Sequence, residues 1–401
     1  MKVLLCSSFL HHRGGDSTCM DGMAAGLAAR GHTVIPFAMR HPQNVPSTWE
    51  TRFPPQVDIW SARGFPRLVR LAESIHSFAA ARAMDALLAD TRPDVAHIHH
   101  VHRHLTPSIL GPLRRRGVPV VWTVHDYELI CPSGNLWTDG AVCTRCRGHR
   151  YENAVLHRCK RGDLAQSVAV ALEKWIHARM HVWEKVDLFL CPSRWLAERL
   201  VEFGVDPGRV LHLPNFVLDA PDGGPPGVDP PFAGRLSAEK GVDDILAAAR
   251  LLPHRMLIVC GGGAELERLR RAVPPNVRFR GVLEPGEVAA ELRAAGAVAV
   301  PSRWPENFPY AVLEAQLAGR AVVATRVGGI PEQIRDGEDG MLVPPGDPVA
   351  LAGAIEGLLC DRVRAAEMGR RGRERVRKER EVGRYLDEIE ALYRALGQAS
   401  P

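Results

Sequence analysis

Residues 298–345 constrain the fold of this chain more than any other stretch: VAVPSRWPENFPYAVLEAQLAGRAVVATRVGGIPEQIRDGEDGMLVPP. A short apolar run, Val298 to Val300, stops at Pro301-Ser302 and passes through Arg303, Trp304 and Pro305. Pro309 suits an early helical position, where its missing N–H leaves nothing unsatisfied. Val312, Leu313, Ala315, Leu317 and Ala318 give that helix an apolar face, and Gly319 suits a left-handed stop. Ala321 to Thr325 reads as a buried strand, Gly328-Gly329 as a turn, and Pro331 as the opening of another helix. Strand, helix and strand in this succession require a sheet with helices packed on it.

Two carboxylates frame the loop and helix, Glu306 just before it and Glu314 within it. At about 1.5 Å of rise per helical residue they lie roughly 10–12 Å apart. That is wider than the paired carboxylates of most sugar hydrolases, about 5–10 Å apart across one bond. It suits an extended ligand with hydroxyls at both ends and an anion between them, facing the open amides of a helix N-terminus. Ribose, pyrophosphate and hexose in a nucleoside diphosphate sugar have this layout. Two glutamates at such a spacing are ordinarily solvated surface groups. The flanking Pro-Ser, Glu-Asn-Phe-Pro and Gly-Gly-Ile-Pro-Glu segments set this pair apart.

A chain of 401 residues with 46% hydrophobic content can bury two substantial cores, and its length favours two or three domains. No apolar run reaches the roughly 18 residues of a membrane-spanning helix. The start, MKVLLCSSFLHH, reads as a first strand rather than a signal peptide, which leads to the expectation of a cytoplasmic protein. In that compartment nine cysteines are free thiols or metal ligands before they are disulfides. The net charge of +5 is uneven: residues 1–200 hold 25 Lys and Arg against 17 Asp and Glu (+8), and the remainder 26 against 29 (−3). A basic first half would let the protein sit peripherally at the inner, anionic membrane face, or it is simply a solvated basic surface. No basic stripe with interleaved aromatics is present, so nucleic acid is not an expected partner.

The chain opens as strand, helix and strand: Val3 to Cys6, a helix with Met20, Met23, Ala24, Leu27 and Ala28 on one face, then Thr33 to Phe37. Gly14 and Gly15 between them do not fit the G-x-G-x-x-G dinucleotide fingerprint. His12, Arg13 and Asp16 flank these glycines and are candidates for contact with a substrate. Val95 to His99 reads as a strand with His97 and His99 on one face, open to a metal reading or to histidines lining a cleft. Pro119 belongs at the mouth of the next strand, Val120 to Val124, whose carboxyl end carries His125-Asp126-Tyr127. Ligands of open α/β sheets bind beyond such ends. An insert follows in which Cys131, Cys143, Cys146 and Cys159 form C-x11-C-x2-C-x12-C. These four are a structural zinc set, free thiols or a disulfide pair. A helix is expected around Leu172 to Trp183, and a Pro- and Gly-dense linker begins near Leu213.

The second half opens with PFAGRLSAEKG, where Arg235 and Lys240 follow a strand ending at Gly234; two cations there suit a pyrophosphate. Together with Pro301-Ser302, Glu306-Asn307-Phe308-Pro309 and Glu314, this resembles the donor site of glycosyltransferase family 4, from Val3 to about Tyr393. The resemblance implies an α/β GT-B fold, two Rossmann-like doubly wound parallel-sheet domains facing a central cleft. The expected divisions are an acceptor domain over 1–213 with the insert at 131–159, a linker over 214–231, a nucleotide-sugar domain over 232–379, and a helix over 380–401 crossing back to the first domain. It implies a retaining transfer of a hexosyl or N-acetylhexosaminyl group from a nucleotide sugar, a UDP-sugar first, to a hydroxyl acceptor in glycan or secondary-metabolite synthesis. Glu306, His125, Arg235 and Lys240 would be catalytic, with His125 near the C6 hydroxyl of the hexose and the cations on the diphosphate. Gly14, Gly15, Gly234, Gly262, Val282, Leu283, Asn307, Phe308, Pro309, Val312, Leu313 and Glu314 would bind the donor, Glu314 through its ribose. The substrate that His12, Arg13 and Asp16 would contact is then the acceptor. No cofactor or divalent metal is needed for catalysis if the cations do its work, and no Asp-x-Asp motif is placed to bind one. Pro309 departs from the commoner Glu-x-Phe-Gly form. The rival readings are an epimerase of the same fold and a non-catalytic sugar-nucleotide-binding protein.

Overall fold

The computed structural model describes residues 1–57, 65–218, 227, 231–233, 236–263 and 265–399. The chain forms two compact units. One gathers Met1–Thr138, Cys143–Pro214 and the chain from Val382 onward; the other is Asn215–Glu381 with Asp139–Val142.

The first unit is built on a parallel sheet of β1 (Lys2–Cys6), β2 (Thr33–Phe37), β3 (Val95–Ile98), β4 (Val120–Thr123), β5 (Leu188–Cys191) and β6 (Val210–His212), in the order β2-β1-β3-β4-β5-β6. Val3 to Cys6 and Val120 to Thr123 are buried without alternation, as expected of strands covered on both faces. Helix α1 (Gly15–Ala29) joins β1 to β2. Helix α2 (Leu164–Arg179) starts earlier than its apolar pattern indicates, because the Asp163 side chain accepts from the Gln166 N–H and caps it there.

The last helix of the chain, α5 (Val382–Ala399), belongs to this unit and buries Tyr385, Leu386, Ile389 and Tyr393. Arg30 at the end of α1 reaches Asp387 (2.7 Å), Glu390 (3.1 Å) and the Gly383 carbonyl (2.8 Å). Gly26 lets the helices approach, since a Cβ there would lie 2.4 Å from the Leu386 side chain.

The second unit has its own parallel sheet of β7 (Pro231–Ala233), β8 (Leu257–Cys260), β9 (Val277–Gly281), β10 (Val298–Val300), β11 (Val322–Thr325) and β12 (Gly340–Val343). Their order is β9-β8-β7-β10-β11-β12, so the sheet reverses direction of growth between β7 and β10. The pleat divides its side chains between two cores. Val298, Val300, Val322 and Ala324 pack with Val312, Ala315 and Ile330, whereas Ala299 and Val323 pack with Leu246, Ile355 and Leu358. That division is what makes the sheet doubly wound.

Among the described residues no helix is long and apolar enough to cross a membrane.

Candidate functional site

In an open α/β sheet the loops at the carboxyl ends of the strands flanking the reversal form a natural crevice. In the second unit these are the loops after β7 and β10. Gly234 and Arg235 lie outside the described residues. From Leu236 the chain passes through one 3-10 turn, Ala238–Lys240, and Gly241 at φ +72° swings it into helix α3 (Val242–Leu251). Gly241 lies against the other loop: a Cβ there would stand 1.8 Å from the Pro301 carbonyl oxygen. The Glu239 carbonyl accepts from the Arg303 N–H (2.9 Å) and the Trp304 N–H (3.3 Å), and Arg303 Nε donates to Asp244 (2.8 Å).

This docking brings Lys240 Nζ to 2.6 Å from Glu306 Oε1 and to 5.1 Å from the centre of the Trp304 ring. Ser302 Oγ donates to the same carboxylate oxygen at 2.5 Å. Glu306 is 5% exposed, so its charge is held by partners rather than by bulk water. Its carbonyl accepts from the Gly329 N–H at 2.7 Å, and a Cβ on Gly328 (φ +54°) would stand 2.1 Å from that carbonyl oxygen. Asn307 and Phe308 are buried; the Phe308 carbonyl takes a hydrogen bond from Asn215 (3.3 Å) and the Pro309 carbonyl one from Gln333 (3.2 Å).

Pro309 is extended (φ −65°, ψ 127°) and precedes the helix α4 (Tyr310–Leu317) rather than sitting inside it. The side chains of Val312 and Leu313 are buried in the packing of α4, leaving their backbone as what they can offer a ligand. Glu314 is half-buried on the next turn, and Gly319 takes the left-handed φ of +70° that its place after the helix calls for. Gly262 and Gly263 lie at the end of β8, where the Leu236 N–H donates to the Gly262 carbonyl (2.9 Å). A Cβ on Gly262 would meet Val282 at 2.7 Å; Val282 itself is 80% exposed past the end of β9, with Leu283 half-buried beside it.

In the first unit the reversal falls between β1 and β3. Gly14 caps α1 and Asp16 lies in its first turn. Arg13 stacks over Phe9 (3.9 Å), and His12 is exposed. Past these loops run three stacked imidazoles, His97 on His99 (4.7 Å) and His99 on His125 (5.2 Å).

His97 does not line a cleft. Its Nδ1 meets the Tyr393 hydroxyl at 2.5 Å and its Nε2 the Thr123 hydroxyl at 2.6 Å, so neither nitrogen is left for a metal, and the ring is wholly buried. His99 Nδ1 and His125 Nε2 are 2.9 Å apart, one donating and one accepting. Burial, then the His125 imidazole, lowers His97 to about 3; burial lowers His125 to about 4 against the pull of Asp16. Burial, with Glu128 adding to it, pushes Asp126 up to about 6. Burial also pushes Glu128 upward, but His102, Arg103, His100 and Lys174 outweigh it and hold that carboxyl low. Cys131, Cys143, Cys146 and Cys159 line one small cavity.

A model for Glycosyltransferase Family 4 matches residues 13–219, and one for glycosyl transferases group 1 matches residues 230–375. The first alone covers more than half of the chain. The chain belongs to glycosyltransferase family 4.

Among curated relatives of this family-4 chain, glycogen synthase of Mycobacterium tuberculosis is 29% identical over 303 residues, which are 71% of this chain and 64% of the relative. Among solved structures, sucrose-phosphate synthase from Thermosynechococcus elongatus matches with a TM-score of 0.72 and 22% identity over the full length of both. Anabaena HepE in complex with UDP matches with a TM-score of 0.65 and 17% identity, covering 98% of this chain and 100% of that one. At such identities the structural likeness establishes the fold, which is GT-B. In the sequence Ser302 stands out only as part of the Pro-Ser motif, with no role of its own, and Asn215 does not stand out at all. Ser302 stands directly at a strand's carboxyl end, a position that could have singled it out, whereas Asn215 carries no local signal.

Proposed function

We propose that this chain is an enzyme, a retaining glycosyltransferase that moves a hexosyl or N-acetylhexosaminyl group from a UDP-sugar to a hydroxyl acceptor. The observation that carries the reading is the grouping of Lys240, Ser302 and Glu306 at the strand-order reversal of the second unit. Glu306, held in place by Lys240 and Ser302, would accept hydrogen bonds from sugar hydroxyls. Lys240 has donors left beyond its bond to Glu306 and would meet the diphosphate, joined there by Arg235 and by the opening amides of α4. Charge that builds on the departing diphosphate as the glycosidic bond breaks would find cations already in place. Glu314 would hold the ribose, and the backbone beside Val282 and Leu283 the base. His125, neutral at pH 7, would donate to a hydroxyl of the sugar. The solved neighbour bound to UDP favours a uridine donor over other nucleotides.

A thermal-shift screen of UDP-, GDP-, ADP- and dTDP-sugars tests the donor. A ligand at about a hundred times its Kd stabilises by about 2.7 kcal/mol. UDP-sugars should raise the melting temperature most, and Glu306→Gln should weaken the response to the sugar-bearing ligand more than the response to UDP. A sugar that appears as a new epimer without acceptor, or stabilisation by all nucleotides alike, would contradict the proposal.

A further inference from the structure

The four cysteines of the insert are uneven in sequence, yet the chain turns all of them to the wall of one cavity of about 10 Å³. That is room for a single atom-sized occupant. The rest of the wall is largely apolar, with Pro132, Leu136 and Ala154 among it. Local hydrogen bonds set the approach: Cys131 N–H donates to Tyr127 (2.7 Å), Cys143 N–H to Leu136 (2.8 Å) and Cys159 N–H to Ala154 (3.0 Å). None of the four is in a disulfide.

We propose that Cys131, Cys143, Cys146 and Cys159 bind one structural Zn²⁺ as a tetrahedral tetrathiolate. Four sulfurs fill the coordination shell and leave no open position, so the ion would hold the chain and take no part in the transfer. Soft thiolates select zinc over the hard cations magnesium and calcium. Each thiol gives up its proton as the metal binds, and the resulting centre carries a charge of 2−. Residues 143–161 hold Arg145, Arg147, Arg150, Arg158, Lys160 and Arg161 against the single acid Glu152, a balance that favours such a centre.

Two hydroxyls stand next to the sulfurs, Ser133 Oγ at 3.1 Å from Cys131 and Thr138 Oγ1 at 3.6 Å from Cys159, placed as outer partners of thiolate ligands. Regular structure is scarce here. Glu152–Leu156 is a five-residue helix, and Leu136, His149 and Arg158 hold positive φ of 47°, 62° and 46°. Backbone of that kind persists only where its surroundings fix it, and the ion would supply the cross-link. It would also tether the His125–Glu128 turn, because Gly134 lies against Glu128, where a Cβ would come within 2.8 Å.

The test is elemental analysis of the full chain, reduced, reconstituted with equimolar Zn²⁺ and desalted. One zinc per chain is expected, released by a mercurial reagent as four thiols react, and lost in the double variant Cys143→Ser, Cys146→Ser but kept in Cys360→Ser. Replacement by Co²⁺ should give thiolate-to-cobalt charge-transfer absorption in the wild type, a readout that does not depend on the variant folding. Trace zinc after reconstitution, equal alkylation of the four thiols with and without Zn²⁺, or zinc that survives in the double variant and disappears in His99→Ala would each overturn the proposal. The last result would place the ion on Cys19, His99 and His125, whose ligating atoms lie within 4.8 Å of one another.

Discussion

The two units each build six parallel strands, but they finish the carboxyl ends of those strands in opposite ways. The second unit places an ion pair there, Lys240 with Glu306, reinforced by Ser302. The first places a stack of imidazoles that burial keeps uncharged, His97, His99 and His125. Of the 17 histidines in the chain, only His254 falls in the second unit. One sheet thus ends in a part-buried ion pair, and the other in a stack of neutral, hydrogen-bonded imidazoles. Strand topology sets where a crevice forms, and the loop residues set what charge it tolerates.

The largest test of that contrast is acid. An imidazole kept neutral in the fold but free to protonate when unfolded adds stability above its unfolded pKa of about 6.5 and loses it as pH falls toward the folded value. His97 (about 3), His104 and His125 (about 4), and His99 and His102, which are also lowered, all act in this direction, burial being the chief cause. Asp126, raised to about 6, has the opposite sign: its contribution is lost as pH rises through 6, so it offsets a part between pH 4 and 6. In the second unit, hydrogen bonds from Arg255 and Arg370 hold Glu356 and Glu367 at about 2, and that stability fades only below about 4.5. Calorimetry from pH 7 to 4.5 should therefore show the first unit melting progressively earlier while the second holds. A single transition moving as one would break the contrast.

Next in size, Glu306→Gln should lower the rate of transfer by about 10²–10³, the scale of a lost transition-state charge contact, with an unchanged circular dichroism spectrum. His97→Phe should destabilise the first unit by roughly 2–4 kcal/mol, since the hydroxyls of Tyr393 and Thr123 lose their buried partner. Denaturant unfolding of the two units measures this, and the second transition should not move. Gly241→Ala should destabilise the second unit by about 1–3 kcal/mol, through left-handed strain and the close Pro301 carbonyl. An unchanged midpoint there would mean that the loops after β7 and β10 are not held together as described.

Much of the fold is legible in the sequence because parallel strands covered on both faces are continuous apolar runs. Val3 to Cys6, Val120 to Val124 and Val298 to Val300 were readable within a residue of the observed strands. Element ends were less so: α2 starts at a cap, Asp163, that apolar periodicity does not reveal. At the site, Lys240 and Glu306 were legible as residue types following strand ends, but their direct contact depends on Gly241 and Gly328, whose importance lies in the distance to another loop. His97 shows the limit of periodicity. Alternation puts it on the face of His99, yet its partners come from β4 and from α5, almost 300 positions later in the chain.

A crystal structure with an intact UDP-sugar decides where the donor binds. The diphosphate should lie beside Lys240 and the opening of α4, with sugar hydroxyls on Glu306 and the ribose on Glu314. A donor bound away from the loops after β7 and β10, or one whose phosphates stand beyond the reach of Lys240, would contradict it.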